Sequence, residues 1–380
     1  MAVGTRALRL DPPDLRANMA GKSGAAIGRR CLVRVWTKLR IAIARLFGAL
    51  LLSASMVGLA IAADPGPTLK TVRERGHLIC AASRSLPGFA QMNDGAWSGF
   101  DVDLCRAVAA AVFNDPNKVE FRALGGDSRF AQLQTGEIDM LSRNAPWTLK
   151  RDTGFGASYV TTMFFDGEAF MVPQSLGAVS AYELDGVSVC LIDGSDEQIA
   201  VRDFFFENQA SYSEVLYQDL EDLGVAYRSG LCQAVAAPAR WLNAIRRSLP
   251  EPATHRILPE RITKEMIGPV VREGDDQWFE LVRWTMFAII EAEELGITSR
   301  NIESMSTVNN PAIKRLLGLE GDFGTPLGLD PKFMSRVIAA VGNYSELYER
   351  NFGPQTGASL SRGQNSLWTN GGLLYAPPVR

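Results

Sequence analysis

Arg143, Asn144, Thr148 and Arg151 lie within nine residues of one another in the run LSRNAPWTLKRDTGF, Leu141–Phe155. An arginine offers a planar fork of N–H donors that matches a carboxylate, with hydroxyl and amide neighbours to complete the grip. The run follows Ile138–Leu141, an apolar stretch that reads as a strand. Loops leaving the carboxyl ends of strands in α/β sheets are where small ligands bind. On spacing alone the alternative is a solvated turn whose arginines pair with nearby acids. Two further loops occupy equivalent places. Ser83–Phe89 carries Arg84 and Phe89 after the strand His77–Ala82, and Asp193-Gly194-Ser195 opens a helix after the strand Val187–Ile192. The chemistry that these residues suggest is capture of a small anion. His77 and His255 stand in unrelated contexts, so neither a metal site nor a cofactor is expected. Among the residues singled out as candidates for the cleft, Asp196 is the only carboxylate that could serve as a general acid, and no histidine is near.

The elements needed to hold such loops are legible in order. Leu69–Arg75 reads as a helix closed by Gly76, followed by the strand His77–Ala82. A helix follows GAWSG, with Ser98 or Asp101 as its cap and Val102, Cys105, Ala109 and Val112 on one face. Lys118–Ala123 alternates as a strand, Asp127–Thr135 is a helix, and Ile138–Leu141 a strand. This β-α-β-α-β order predicts a doubly wound, mostly parallel sheet with right-handed crossovers. Ala169–Val172 is a strand, after which the pattern restarts. Val187–Ile192, Leu216–Tyr217, Cys232–Ala237 and Arg256–Ile257 read as strands separated by helices. A long helix from Asp275 to Leu295 then carries Phe279, Val282, Met286 and Ile289 as a buried stripe. Short helices follow at Asn310–Gly318 and Pro331–Val341, and the Gly/Pro-rich end, Trp368–Arg380, is expected to wrap the first lobe. The expected division is residues 68–173 with 269–380 as one lobe and 174–268 as the other. The lobes connect near Val172–Gly177 and Thr263–Val271, and a hinged cleft lies between them.

With 380 residues, 46% hydrophobic and 21% charged, the chain is long enough for about two domains. A net charge of −3 and a pI near 5.7 give no footprint for nucleic acid, and the chain is read as a monomer. Residues 1–62 read as an extension and signal peptide. Lys38, Arg40 and Arg45 precede the apolar run Leu46–Pro65, and Ala60-Ile61-Ala62 fits a cleavage site that would start the mature chain near Ala63. An uncleaved membrane anchor is the competing reading. Past that point stand Cys80, Cys105, Cys190 and Cys232, an even number that suits an oxidising compartment. Of the three pairings, Cys80–Cys105 with Cys190–Cys232 is the most local; four buried thiols are the alternative.

From Leu69 to Arg380 the chain resembles the solute-binding proteins of polar amino-acid ABC transporters, bacterial solute-binding protein family 3, and most of all their general L-amino-acid-binding subgroup. The resemblance rests on LPGF (Leu86–Phe89), WSGFDVDLCRAVAAAVF, LSRN, WTLKRDT, GDDQWFELVRW, EAEELGIT, NPAIKRLLG and RGQNSLWTNGGLLYAPP. It implies a two-lobed type II binding fold, location in the periplasm, and handover of an amino acid or related small carboxylate to a membrane permease. By the same resemblance Arg151 holds the ligand α-carboxylate, Asn144 and Thr148 are polar positions of that loop, and Phe89 lines the side-chain pocket. Four positions depart from the family's pattern. Pro146 replaces a small hydroxyl residue, and the second-lobe turn reads Gly194-Ser195-Asp196 in place of Gly-Thr-Thr. Pro238 stands at or next to the Asp that pairs with the ligand ammonium, and Arg84 replaces a small or amide residue. Two adaptations would follow. Either Asp196 takes over the ammonium, or Arg84 and Arg151 together hold an acid with no α-amino group. An enzyme on the same fold, of the cyclohexadienyl dehydratase kind, and an orphan ligand sensor are the other function classes.

Overall fold

The structure, a computed structural model, describes residues 66–124, 128–356 and 360–380, and of Asp196 the backbone alone. The leader, the cleavage site and the start of the helix expected at Asp127 therefore lie outside the described residues. Among the described residues no helix is long and apolar enough to cross a membrane.

Among the described residues fifteen strands form two five-stranded sheets and two small ones. In chain order they are β1 Leu78–Ala82, β2 Ser85–Leu86, β3 Ala90–Asn93, β4 Ala96–Ser98, β5 Val119–Ala123, β6 Met140–Leu141, β7 Ala157–Tyr159 and β8 Phe164–Asp166. Then come β9 Glu168–Pro173, β10 Val187–Ile192, β11 Tyr212–Tyr217, β12 Ala234–Pro238, β13 His255–Ile257, β14 Glu265–Ile267 and β15 Val270–Arg272. The first large sheet has the order β5-β1-β6-β15-β7, with β5, β1 and β6 parallel and β15 antiparallel to both its neighbours. The second has the order β11-β10-β12-β9-β13, again with three parallel strands followed by antiparallel ones. Each lobe is thus the same α/β plan, a parallel β-α-β core extended by strands that return from the other lobe.

The inner parallel strands β1, β6 and β12 are apolar and buried throughout because helices cover both faces, whereas the edge strands β5 and β11 carry Glu120, Arg122 and Glu214. β1 is buried at every position, and the helix Phe100–Phe113 packs against it, with Cys105 in one core with Cys80 and Val102 in one with Ala82. Cys105 is disulfide-bonded to Cys80 of β1, and Cys190 of β10 to Cys232, with Cα separations of 6.2 and 5.7 Å. The expected cap at Ser98 or Asp101 does not form. Gly99 holds the N-cap place with no side-chain cap, and Asp101 lies inside the first turn, where its charge suits the helix dipole. Asp275 caps the long helix Asp276–Glu294 as expected, accepting from Trp278 N at 3.0 Å. The carboxyl-terminal end packs on the first lobe, with Leu374, Ala376 and Val379 buried in its core.

β8 and β14 form a two-stranded sheet with each other and are the two crossings between the lobes. The first crossing is earlier than Val172–Gly177. β9 is hydrogen-bonded to β12 and β13, so residues 168–173 sit in the second sheet rather than the first. Hydrophobic pattern identifies β9 as a buried strand but carries no information about which sheet it joins. Glycines follow both crossings closely. A Cβ on Gly167 would lie 2.1 Å from Thr263 O, and one on Gly268 1.8 Å from Thr161 O. The two crossings run backbone against backbone, which leaves no room for side chains there.

Candidate functional site

The loop that carries the arginines is lashed to the hinge. Trp147 N donates to Met266 O at 2.8 Å, and Pro146 bridges to Ile267 of β14. Trp147 stacks on Tyr159, with ring centroids 5.3 Å apart, and the Tyr159 hydroxyl donates to Pro146 O at 2.8 Å. Arg151 sits in the short helix Leu149–Gly154, half-buried. Thr148 caps that helix by accepting from Arg151 N, and the Arg151 guanidinium donates to Pro146 O at 3.1 Å. One N–H of the fork therefore steadies the loop. Asn144, buried at the left-handed φ of 38°, turns the chain at the foot of this loop.

The remaining expected residues fall differently. Arg84 is exposed. Phe89 is 1% exposed, enclosed by Phe100, Phe164 and Phe352 at centroid distances of 4.8–6.2 Å. It is a core residue of the first lobe and not a pocket wall, because the turn at Gly88 (φ 87°) folds LPGF inward. Ser195 is engaged as a helix cap, donating to Ile192 O at 2.8 Å and accepting from Gln198 N at 3.1 Å. The side chain of Asp196 lies outside what is described.

Beside the hinge the fold brings together charges that sequence reasoning did not single out. Arg240, 4% exposed in the helix Ala239–Ser248, donates to Asp166 Oδ2 at 2.8 Å and also to Glu265 Oε2. Its own N–H donates to Asp166 Oδ2 at 3.2 Å. Burial works against the Arg240 charge, but Glu265 and Asp166 outweigh it and hold the guanidinium more firmly protonated. Glu168, first residue of β9, is 0% exposed, and neither of its carboxylate oxygens has a hydrogen-bond partner. Burial pushes its carboxyl well above the usual carboxylate range; Glu197, Glu265 and Asp166 add to the rise and Arg240 opposes it. Asp101 is buried too, and burial lifts it to about 7 against the pull of Asn144, Arg143 and Arg240. Burial also lowers the Arg143 guanidinium's pKa, with Asp101 opposing. Four acids (Asp101, Asp166, Glu168 and Glu265) thus meet two arginines (Arg143 and Arg240) where both lobes join the hinge. The sequence signal was faint: FDGEAF places two acids at the mouth of an otherwise apolar strand, and PAR places an arginine just past another. Such an arrangement can pair with a ligand of either charge, arginine forks for carboxylates and unpartnered carboxylates for amines.

A family model for bacterial extracellular solute-binding proteins, family 3, matches residues 78–300. The chain is 46% identical over 333 residues to the putative amino-acid ABC transporter-binding protein YhdW of Escherichia coli K12, spanning 87% of this chain and 98% of that one. It is 45% identical over 336 residues to the glutamate/glutamine/aspartate/asparagine-binding protein BztA of Rhodobacter capsulatus, spanning 88% and 98%. Among solved structures, a periplasmic binding protein of an ABC transporter from Brucella ovis with glutathione bound is 45% identical. The match covers 82% of this chain and 99% of that one, with a TM-score of 0.75. Paired sheets on one plan, a double-stranded crossing, and kinship along nearly the whole length of these relatives agree: the chain belongs to the bacterial extracellular solute-binding proteins of family 3.

Proposed function

We propose that this protein is the periplasmic solute-binding component of an ABC importer, exported through its amino-terminal signal peptide. In this reading it acts as a monomer, binds an amino acid or a related small carboxylate, and delivers it unchanged to a membrane permease. The observation that carries the reading is end-to-end similarity to YhdW and BztA, whose names state amino-acid binding. The relative with glutathione bound widens the ligand class to γ-glutamyl peptides, which present the same α-amino-carboxylate head as glutamate and glutamine. In this reading Arg151 is the carboxylate anchor, Asn144 and Thr148 belong to its loop, and Arg84 and the Ser195–Asp196 turn are the further contacts that closure would bring to the ligand. The lobes divide within Asp166–Glu168 and Glu265–Gly268, and closure about these crossings encloses the ligand.

Mass spectrometry of small molecules that copurify with the protein, followed by calorimetry with the compounds found, tests this directly. An amino acid, a γ-glutamyl peptide or a small carboxylate bound in unit ratio and recovered unchanged is expected. A ligand consumed during incubation would show an enzyme instead, and a protein that retains no carboxylate at all would sink the reading.

A further inference from the structure

We propose that Glu168 is the subsite for a cationic group of the ligand, a protonated amine, and so that the ligand is a zwitterion and not a simple acid. The proposal rests on the binding-protein reading above. Glu168 is fully buried with both carboxylate oxygens unpartnered, while its backbone is satisfied: its N–H donates to Thr263 Oγ1 at 2.9 Å and its C=O accepts from Ile262 N at 2.9 Å. The side chain is therefore a surplus acceptor and no part of the strand's own bonding. Its cross-strand neighbour is Pro238, which has neither a side-chain donor nor an N–H. The charged groups facing it are Glu197 on the helix Asp196–Glu207, Glu265 on β14, Asp166 on β8, and Arg240 on the helix Ala239–Ser248. Arg240, the single base among them, is already held by Asp166 and Glu265. A carboxylate so placed must carry a proton or meet a cation. An ammonium brings three donors and a compact charge, and Glu168 stands at the start of β9, two residues past the crossing strand β8. A ligand gripped by Arg151 at its carboxylate then has a second, opposite anchor in Glu168. That anchor belongs to the strand facing Pro238 and not to the Ser195–Asp196 turn.

Calorimetry of the full protein and of Glu168→Gln with L-glutamate, L-glutamine and their 2-oxo counterparts tests this. The unaltered protein should prefer the amines. Glu168→Gln should lose roughly 30-fold or more in amine affinity while its affinity for the 2-oxo acids holds within about twofold. Equal affinity of Glu168→Gln for the amines, an equal loss for both classes, or an amine preference removed by Asp196→Ala but not by Glu168→Gln overturns the proposal and leaves the binding-protein reading standing. An unaltered protein that binds neither class overturns both. Should Glu168→Gln not fold, titration of the unaltered protein at neutral pH in buffers of different ionisation enthalpy decides. Amine binding should release a proton that 2-oxo acid binding does not, and equal release by the two overturns the proposal.

Discussion

Arg151 carries the case at the scale of single residues. One N–H of its fork is used by Pro146 O, so removing it loosens the loop as well as deleting the carboxylate anchor proposed above. Arg151→Ala should weaken binding of any carboxylate ligand by about 30-fold or more, and Arg151→Lys should recover only part of it, since a point charge cannot reproduce a bidentate grip. Calorimetry on the two variants checks both numbers. Asp101 makes a prediction about pH. Its native pKa of about 7 lies above the ordinary 3.8, so the folded protein binds a proton that the unfolded chain has already released. Its contribution is fully present below about pH 4 and is lost as pH rises through about 7, by up to ~4 kcal/mol. Urea midpoints of the ligand-free protein should fall between pH 5 and 8 on this account, and Asp101→Asn should flatten that slope. What was legible in the sequence at this scale was the local motif WTLKRDT, whose Thr148 and Arg151 the fold holds together at the start of one short helix. Phe89 was misplaced because a loop phenylalanine looks the same whether it lines a cleft or fills a core. Glu168, Arg240 and Asp101 were missed because their meaning lies in burial and in partners many residues away.

The elements that matter most are β8 and β14. Arg240 binds one acid from each, so it couples the second lobe to both crossings at once. Arg240→Ala should destabilise the protein by about 3–5 kcal/mol, because it strands Asp166 and Glu265 in a buried site without their cation. Chemical denaturation checks this, and the additional loss of Glu265→Gln in that background should be smaller than its loss alone. Gly268→Ala is expected to cost about 1–3 kcal/mol, as the new methyl meets Thr161 O and forces the crossings apart. Helices and apolar strands were readable from periodicity, and β10 was expected with the bounds it has. Of the short strands, β6 and β13 were read within a residue or two and others were not. β2, β3 and β4 form a small meander closed by Asp94-Gly95, a two-residue turn with φ of 51° and 81° that DG in the sequence signals. The helix Tyr344–Phe352, whose Tyr344, Leu347, Tyr348 and Phe352 fill the first lobe, also went unread. β9 was recognised as a strand and assigned to the wrong sheet, because pairing across a hinge is a tertiary choice.

At the scale of the whole molecule, each disulfide lies inside one sheet-and-helix layer and neither spans the crossings. The bridges stiffen the lobes separately and leave their relative motion to β8 and β14. Replacing either pair by serine should lower stability by about 3–4 kcal/mol in the chain-entropy picture while leaving ligand affinity nearly unchanged, measurable by calorimetry on the same samples. Small-angle scattering should show a smaller radius of gyration on adding ligand, with or without the bridges.

The amide of Asn365 closes on both main-chain groups of Phe165, Oδ1 accepting from its N–H at 2.7 Å and Nδ2 donating to its C=O at 2.8 Å. A side chain thereby imitates a neighbouring strand along the free edge of β8, and the carboxyl terminus behaves as a splint on the moving part. Its far end is fixed as well, for Arg315 Nε donates to Val379 O at 2.8 Å. Asn365→Ala should therefore leave both sheets intact yet hasten deuterium uptake at the Phe165 amide.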